Sequence, residues 1–169
     1  MVKISIKYAI LCGVFLTMIF HVSNFLGSNP LIDVSHLIFD LILFGLFVFF
    51  AEKEFKTYHN DGIMHFWQGM TMGFLVYGIG TLIFALLLLA YFYFDPDSVI
   101  NYQESATKFL SEKADLYKEQ FGEDGYQSQL ERIKETTSWN LITSASMKKL
   151  LAGFFITPVI SIILRKQPK

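Results

Sequence analysis

The sequence predicts an all-α membrane protein with four transmembrane helices and an extracytoplasmic helical hairpin between the third and the fourth. Three observations carry this. Hydrophobic residues make up 53% of the 169 positions and charged ones 17%, against about 25% charged in an average soluble domain. The apolar residues cluster, with no Asp, Glu, Lys or Arg anywhere from Phe66 to Phe94, and an uncharged apolar run of that length reads as a membrane span. Between that run and the next apolar one lies a charged stretch with helical periodicity.

The first span is drawn over Tyr8–Leu26, after Lys3 and Lys7. It has the basic start of a signal peptide, but "HVSNFLGSNP" lacks a small-residue cleavage site and a second apolar segment follows at once. The second span is Leu31–Ala51, closed by "EKEFK". The third is Phe66–Phe94, with Trp67 at one end and Tyr91 and Tyr93 at the other, as interfacial belts require. The fourth, Leu150–Leu164, has only 15 residues. At 1.5 Å per residue that is roughly 22 Å, short of a ~30 Å hydrocarbon core. Its helix is therefore expected to begin earlier, near Trp139 or Ser144, with Lys148 and Lys149 snorkelling toward headgroups. In segments, residues 1–94 hold three spans, 95–147 the hairpin, and 148–169 the last span with its basic tail.

Lysine and arginine placement sets the orientation. With the N-terminus inside, the inner side collects Lys3, Lys7, Lys53, Lys56, Arg165, Lys166 and Lys169, and the "GSNP" connector carries none. Both termini are thus expected in the cytoplasm. The expected surroundings are the lipid bilayer and either a second copy or another membrane protein. A net charge of −1 offers nucleic acid nothing, and the single Cys12 permits no internal disulfide.

The hairpin opens on Asp95 as helix cap and Pro96 at the first helical position. Val99, Tyr102, Ala106, Phe109, Leu110, Ala114, Tyr117 and Phe121 then form one stripe, "GEDG" at 122–125 turns the chain, and Tyr126, Leu130, Ile133 and Thr137 form a second. These stripes need cover, from each other or from a partner surface. The outer carboxylates alternate with lysines and read as a solvated face.

"KEF…DG…FWQGMTMG" leading into the third span, and "DP" opening the polar stretch, resemble a bacterial four-helix membrane family, domain-of-unknown-function family 4199. The resemblance covers nearly the whole chain and is carried by Gly62, Phe66, Gln68, Gly69, Gly73, Asp95 and Pro96. Departures are "MKK" before the last span and the intramembrane His and Asp residues. The resemblance implies an inner membrane and no particular activity.

Two features inside the spans are candidates for function. Gly69, Gly73 and Gly80 fall within about 40° of arc and make a smooth stripe where another helix can approach closely. On the first two spans, a tight turn between Ser28 and Asn29 would set Asn24 level with Asp33, His21 with His36, and Thr17 with Asp40. An aspartate as deep as Asp40 costs about 2.5–3.5 kcal/mol to insert and needs a partner or water. Three readings remain open: polar glue between Thr17 and a neutral Asp40, a proton or cation relay through His36 and Asp40, or a metal held by His21, His36 and Asp40. No cofactor motif, catalytic signature or dedicated metal motif is present. His59 and His65 flank the Asn60-Asp61-Gly62 turn and read as connector residues. The functional expectation is a non-enzymatic subunit working through helix packing and its hairpin, with a small oligomeric carrier using the His/Asp seam as the alternative.

Overall fold

The computed structural model describes residues 1–33 and 35–166. Lys169, one of the basic residues used for orientation, lies outside the described residues. Among the described residues six helices follow one another: α1 Val2–Phe25, α2 His36–His59, α3 Phe66–Phe94, α4 Asp97–Glu112, α5 Ala114–Lys134 and α6 Ser138–Leu164. Three of them, α1, α3 and α6, are long and apolar enough to cross a membrane.

α1, α2, α3 and α6 pack side by side. α3 touches α1 on one side and α6 on the other, and α2 closes the ring between α6 and α1. Small residues make these approaches close. A Cβ added at Gly73 would meet Thr157 Cγ2 at 2.2 Å, and one at Gly69 would meet Ser161 Oγ at 2.6 Å. Going the other way, a Cβ at Gly153 would meet the Tyr77 ring at 2.4 Å. The pairs Gly69–Ser161, Gly73–Thr157 and Tyr77–Gly153 step by four in opposite directions, so α3 and α6 run antiparallel along one small-residue seam. Gly80 looks instead at α1, with Ala9 O and Cys12 Cβ at 3.4 and 3.5 Å. The stripe Ser5, Ala9, Gly13 of α1 is buried against α3, where a Cβ on Gly13 would meet Ile83 at 2.7 Å.

The bounds differ from the expected spans for local reasons. α1 begins at Val2, since Lys3 and Lys7 extend the helix past the apolar run. α2 begins at His36, because Asn29 and Asp33 accept backbone N–H groups from Leu31 and Ser35 and hold residues 30–32 in turns. It then runs on to His59, through the "EKEFK" charges. α6 starts at Ser138, capped by Thr137, whose hydroxyl accepts the Asn140 N–H at 3.3 Å. It continues through Pro158.

The connector between α2 and α3 is held by turn chemistry. Asp61 and Gly62 take φ of 48° and 73°, the Gly62 N–H bonds Lys56 O, and the Asn60 amide bonds Ile63 O. His65 caps α3, and its own N–H donates to Gln68 Oε1 at 2.9 Å. At the same end Lys7 pairs with Glu54 at 2.7 Å, Lys56 donates to Leu164 O, and Met64 and Lys166 exchange backbone hydrogen bonds. Most of the basic residues used for orientation thus gather at one end of the ring.

At the other end α4 and α5 share their own core of Ala106, Leu110, Tyr126 and Ile133. The Gln103 amide donates to Lys134 O and Thr136 O. The first outer helix stops at Glu112, earlier than the "GEDG" turn, and α5 is itself broken at Gly122, with φ 73° and ψ 173°. Asp95 ends α3 rather than capping α4 through its side chain. Its carboxylate accepts the Ser98 hydroxyl at 2.5 Å, while Pro96 occupies the N-cap position.

Candidate functional site

α2 carries residues at four-residue steps on its inward face: His36, Asp40, Phe44, Val48 and Glu52. Steps of four keep side chains on one side of a helix. Of these, Phe44, Val48 and Glu52 have no exposed surface, and Asp40 is 7% exposed. α6 faces it with Lys149, Gly153, Thr157 and Ser161 at the same spacing. Because both helices run the same way, one register serves the whole length. Asp40 Oδ1 accepts from Lys149 Nζ at 2.6 Å, and Glu52 Oε1 accepts from Ser161 Oγ at 2.8 Å, each across 109 residues of sequence.

The Asp40–Lys149 pair is the electrostatic centre of the bundle. Each side chain is 10% exposed. The ammonium also sits 4.4 Å from the centroid of the Phe84 ring, the geometry of a cation–π contact. Lys149 does not snorkel toward headgroups as the sequence suggests; it turns inward because α6 begins at Ser138 and carries it into the ring, where a carboxylate waits. Lys148, its neighbour, lies nearer the end of the ring and reaches Leu31 O at 3.3 Å.

Beside the pair, toward the α1–α2 connector, lies a cavity of about 80 Å³. All four bundle helices line it: Leu16 and Phe20 from α1, His36 and Asp40 from α2, Phe84 from α3, Lys148 and Lys149 from α6. Asp33 stands at its rim. There the Ser35 N–H, donating to Oδ1 at 2.9 Å, holds the Asp33 carboxyl below the usual carboxylate range.

The polar residues singled out on the first two spans are not brought together in the expected register. The connector from Leu26 to Ser35 is longer than a tight turn, and α1 packs chiefly against α3. Thr17 returns its hydroxyl to Gly13 O at 2.9 Å, away from Asp40. His21 meets the Tyr91 ring edge-on at 5.0 Å, away from His36. Asn24 donates to the Tyr91 hydroxyl, away from Asp33. His36 Nε2 lies 3.4 Å from Ser28 Oγ. Among the described residues no three His, Cys, Asp or Glu side chains gather to hold a metal ion.

Glu52 and Lys149 escaped the sequence reading. A signal was there: α2 and α6 each repeat polar residues at four-residue multiples along one face, with Asp40 and Glu52 twelve apart on one helix and Lys149 and Ser161 twelve apart on the other. Matched spacing on two helices is what a common register requires.

The chain matches the family "Protein of unknown function (DUF4199)" over residues 7–166. It belongs to that family. No curated protein and no solved structure matches the chain. The family therefore brings no activity to this site, and what the DUF4199 chain does must be argued from its own residues.

Proposed function

We propose that this protein is a non-enzymatic inner-membrane protein with four bilayer-crossing helices, which acts as a structural or accessory subunit through its packed bundle and an outer α4–α5 module. The supporting observation is the apolar belt around the ring. α2 is the helix whose composition argues against crossing, yet its charges at Asp40 and Glu52 turn inward. The large residues it exposes around and between them are Ile38, Phe39, Leu41, Ile42, Leu46 and Phe50. A lipid-facing surface of that kind carries no charge to desolvate. The basic end then faces the cytoplasm with both termini, and the α4–α5 module stands on the far side.

The module is the part suited to a partner. It buries its own core but leaves Ile100, Phe109, Leu116 and Phe121 exposed at 42–62%. Cysteines placed at Asn60 and at Glu123 test the topology with a membrane-impermeant thiol reagent. Labelling of Glu123→Cys alone in intact spheroplasts fits the proposal, and labelling of both, or of Asn60→Cys alone, overturns it. A photo-crosslinking residue at Phe121 should then capture a protein neighbour that one at Ile38 does not. Equal capture at both positions would remove the module's role.

A second reading, a small carrier, is favoured by one feature. The buried Asp40–Lys149 pair lines a cavity together with Asp33, His36 and Lys148, polar groups of the kind an access path needs. Phe44 and Val48, both fully buried, stand between this pair and Glu52, roughly 18 Å away along the helix. A carrier would have to part that apolar layer.

A further inference from the structure

The cavity over the ion pair has a charge inventory that selects its occupant. Two ammonium groups, Lys148 and Lys149, and two carboxylates, Asp33 and Asp40, line it, together with the imidazole of His36. α1 and α3 supply only apolar walls, including Leu16, Phe20 and Phe84. One of the three Lys149 hydrogens is spent on Asp40, and among the described residues Asp40 makes that one hydrogen bond. Both groups therefore have capacity left on the cavity side.

Opening such a pair is costly unless both ends are satisfied again, since a single buried charge left alone is strongly unfavourable. An anion entering the cavity would take Lys149 and strand Asp40. A cation would take Asp40 and strand Lys149. A molecule carrying both charges replaces one ion pair with two and strands neither. Size narrows the class further. At about 80 Å³ the cavity is roughly half the ~150 Å³ that accepts a benzene ring, so the buried part of the ligand is small.

We propose that this cavity binds a small zwitterion of α-amino-acid type, its carboxylate taken by Lys149 with Lys148 at the mouth and its ammonium by Asp40. The apolar walls accept a hydrogen or methyl as side chain, so glycine and alanine are the fitting sizes. A phosphatidylethanolamine headgroup has the same two charges. The cavity, however, is lined by all four bundle helices and by Pro30, Leu31 and Asp33 of the α1–α2 connector, and its volume leaves no room for two acyl chains beside the headgroup. This inference rests on the carrier reading for its biological use, but it concerns binding and needs no transport.

The test uses the full chain in nanodiscs of phosphatidylglycerol, which brings no zwitterionic headgroup, with radiolabelled alanine at equilibrium. Saturable binding is expected, displaced by unlabelled alanine or glycine and at least about tenfold less well by alaninamide, which carries only the cation, or propionate, which carries only the anion. The double variant Asp40→Leu/Lys149→Met removes both charges together, so no charge is stranded and its fold is checked by an unchanged helical spectrum and melting. It should lose alanine binding by about tenfold or more. Discs of phosphatidylethanolamine should bind alanine equally well. The proposal fails if folded wild-type protein shows no saturable binding up to about 10 mM, if propionate or alaninamide competes as well as alanine, or if the double variant binds as the wild type does. Loss of alanine binding in phosphatidylethanolamine discs would overturn the assignment to a free solute. A flux assay that failed while binding held would end the carrier reading alone.

Discussion

Asp40 and Glu52 lie on the same face of the same helix, are buried against the same neighbour, and meet different chemistry. Asp40, at the end that opens to a cavity, has an ammonium at 2.6 Å. Glu52, at the closed basic end, has a hydroxyl at 2.8 Å on one oxygen and, among the described residues, no partner on the other. The common register of α2 and α6 explains why both carboxylates find a polar group. It does not make the two sites equivalent. Neutralising Asp40 leaves a buried ammonium without its counter-charge; neutralising Glu52 leaves nothing charged behind.

The largest expected effect follows from that asymmetry. Asp40→Leu should cost about 3–5 kcal/mol of stability, the usual penalty for stranding one member of a buried pair. Adding Lys149→Met should recover most of it, because the two neutral side chains strand nothing. Reversible unfolding in bicelles, followed by helical signal, measures both. A single variant that loses less than about 1 kcal/mol would mean that water already solvates Lys149 through the cavity, and the contrast with Glu52 would collapse.

The seam that brings α6 to α3 comes next. In Gly73→Ala the new methyl meets Thr157 Cγ2 at 2.2 Å, so the two helices must part. Overpacking of this kind costs about 1–3 kcal/mol. Thr157→Ser removes the offending methyl and should restore part of the loss in the double variant. Gly69→Ala meets Ser161 Oγ at 2.6 Å and Glu52 Oε2 at 3.0 Å, side-chain ends that can turn away, together with Ser161 Cβ at 2.8 Å, which moves only with α6, so its loss should be smaller than at Gly73 without vanishing. Equal losses at the two glycines would show that α6 cannot adjust at Glu52 either, which would make that end as rigid as the Asp40 end.

Glu52→Gln is expected to cost under about 1 kcal/mol. The amide oxygen still accepts the Ser161 hydroxyl, and the amide nitrogen takes the place of the oxygen that lacks a partner. Asp40→Asn makes the same change in shape but removes a needed charge, so its loss should be clearly greater in the same unfolding assay. If the two losses match, the carboxylates are interchangeable and the ion pair contributes no more than a hydrogen bond.

Much of this was readable from residues alone. The uncharged run from Phe66 to Phe94 became one helix with those bounds, because nothing in it breaks 3.6-residue periodicity. The Gly69, Gly73 and Gly80 stripe marked close approaches, though not that two of them face α6 and one faces α1. The apolar segment Leu31–Ala51 reads as a span from its sequence, but a count of charges cannot show that Asp40 and Glu52 turn inward. Nor does it place Lys149. The double lysine before the last apolar run reads as a pair at the headgroups, since the sequence alone does not show that Lys149 meets the Asp40 carboxylate inside the ring. The pairing of spans one and two failed for a geometric reason. Equal depth is not equal facing, and the connector of Asn29 to Asp33 turns is too long to impose a hairpin register.

The smallest effect concerns a carboxylate outside the bundle, and it completes the comparison. Glu123 pairs with Lys118 at 3.0 Å on the exposed surface of α5, beside the kink at Gly122. The hydrogen bond from Lys118, then that from Gln127, holds its carboxyl below the usual range. A carboxyl lowered on folding stabilises the folded state above its unfolded pKa, near 4.3, and this contribution fades as the pH falls through the folded value. Wild type and Glu123→Gln should therefore differ slightly in unfolding midpoint at neutral pH and converge below about pH 4. Added salt at about 1 M should also erase the difference, because an exposed pair is screened. Asp40→Asn should not follow that pattern. Its pair is largely buried and is screened much less, so its penalty should persist at high ionic strength. A penalty at Asp40 that faded with salt in step with the one at Glu123 would mean that the cavity admits ions freely to the floor, and the buried pair would behave as a surface one.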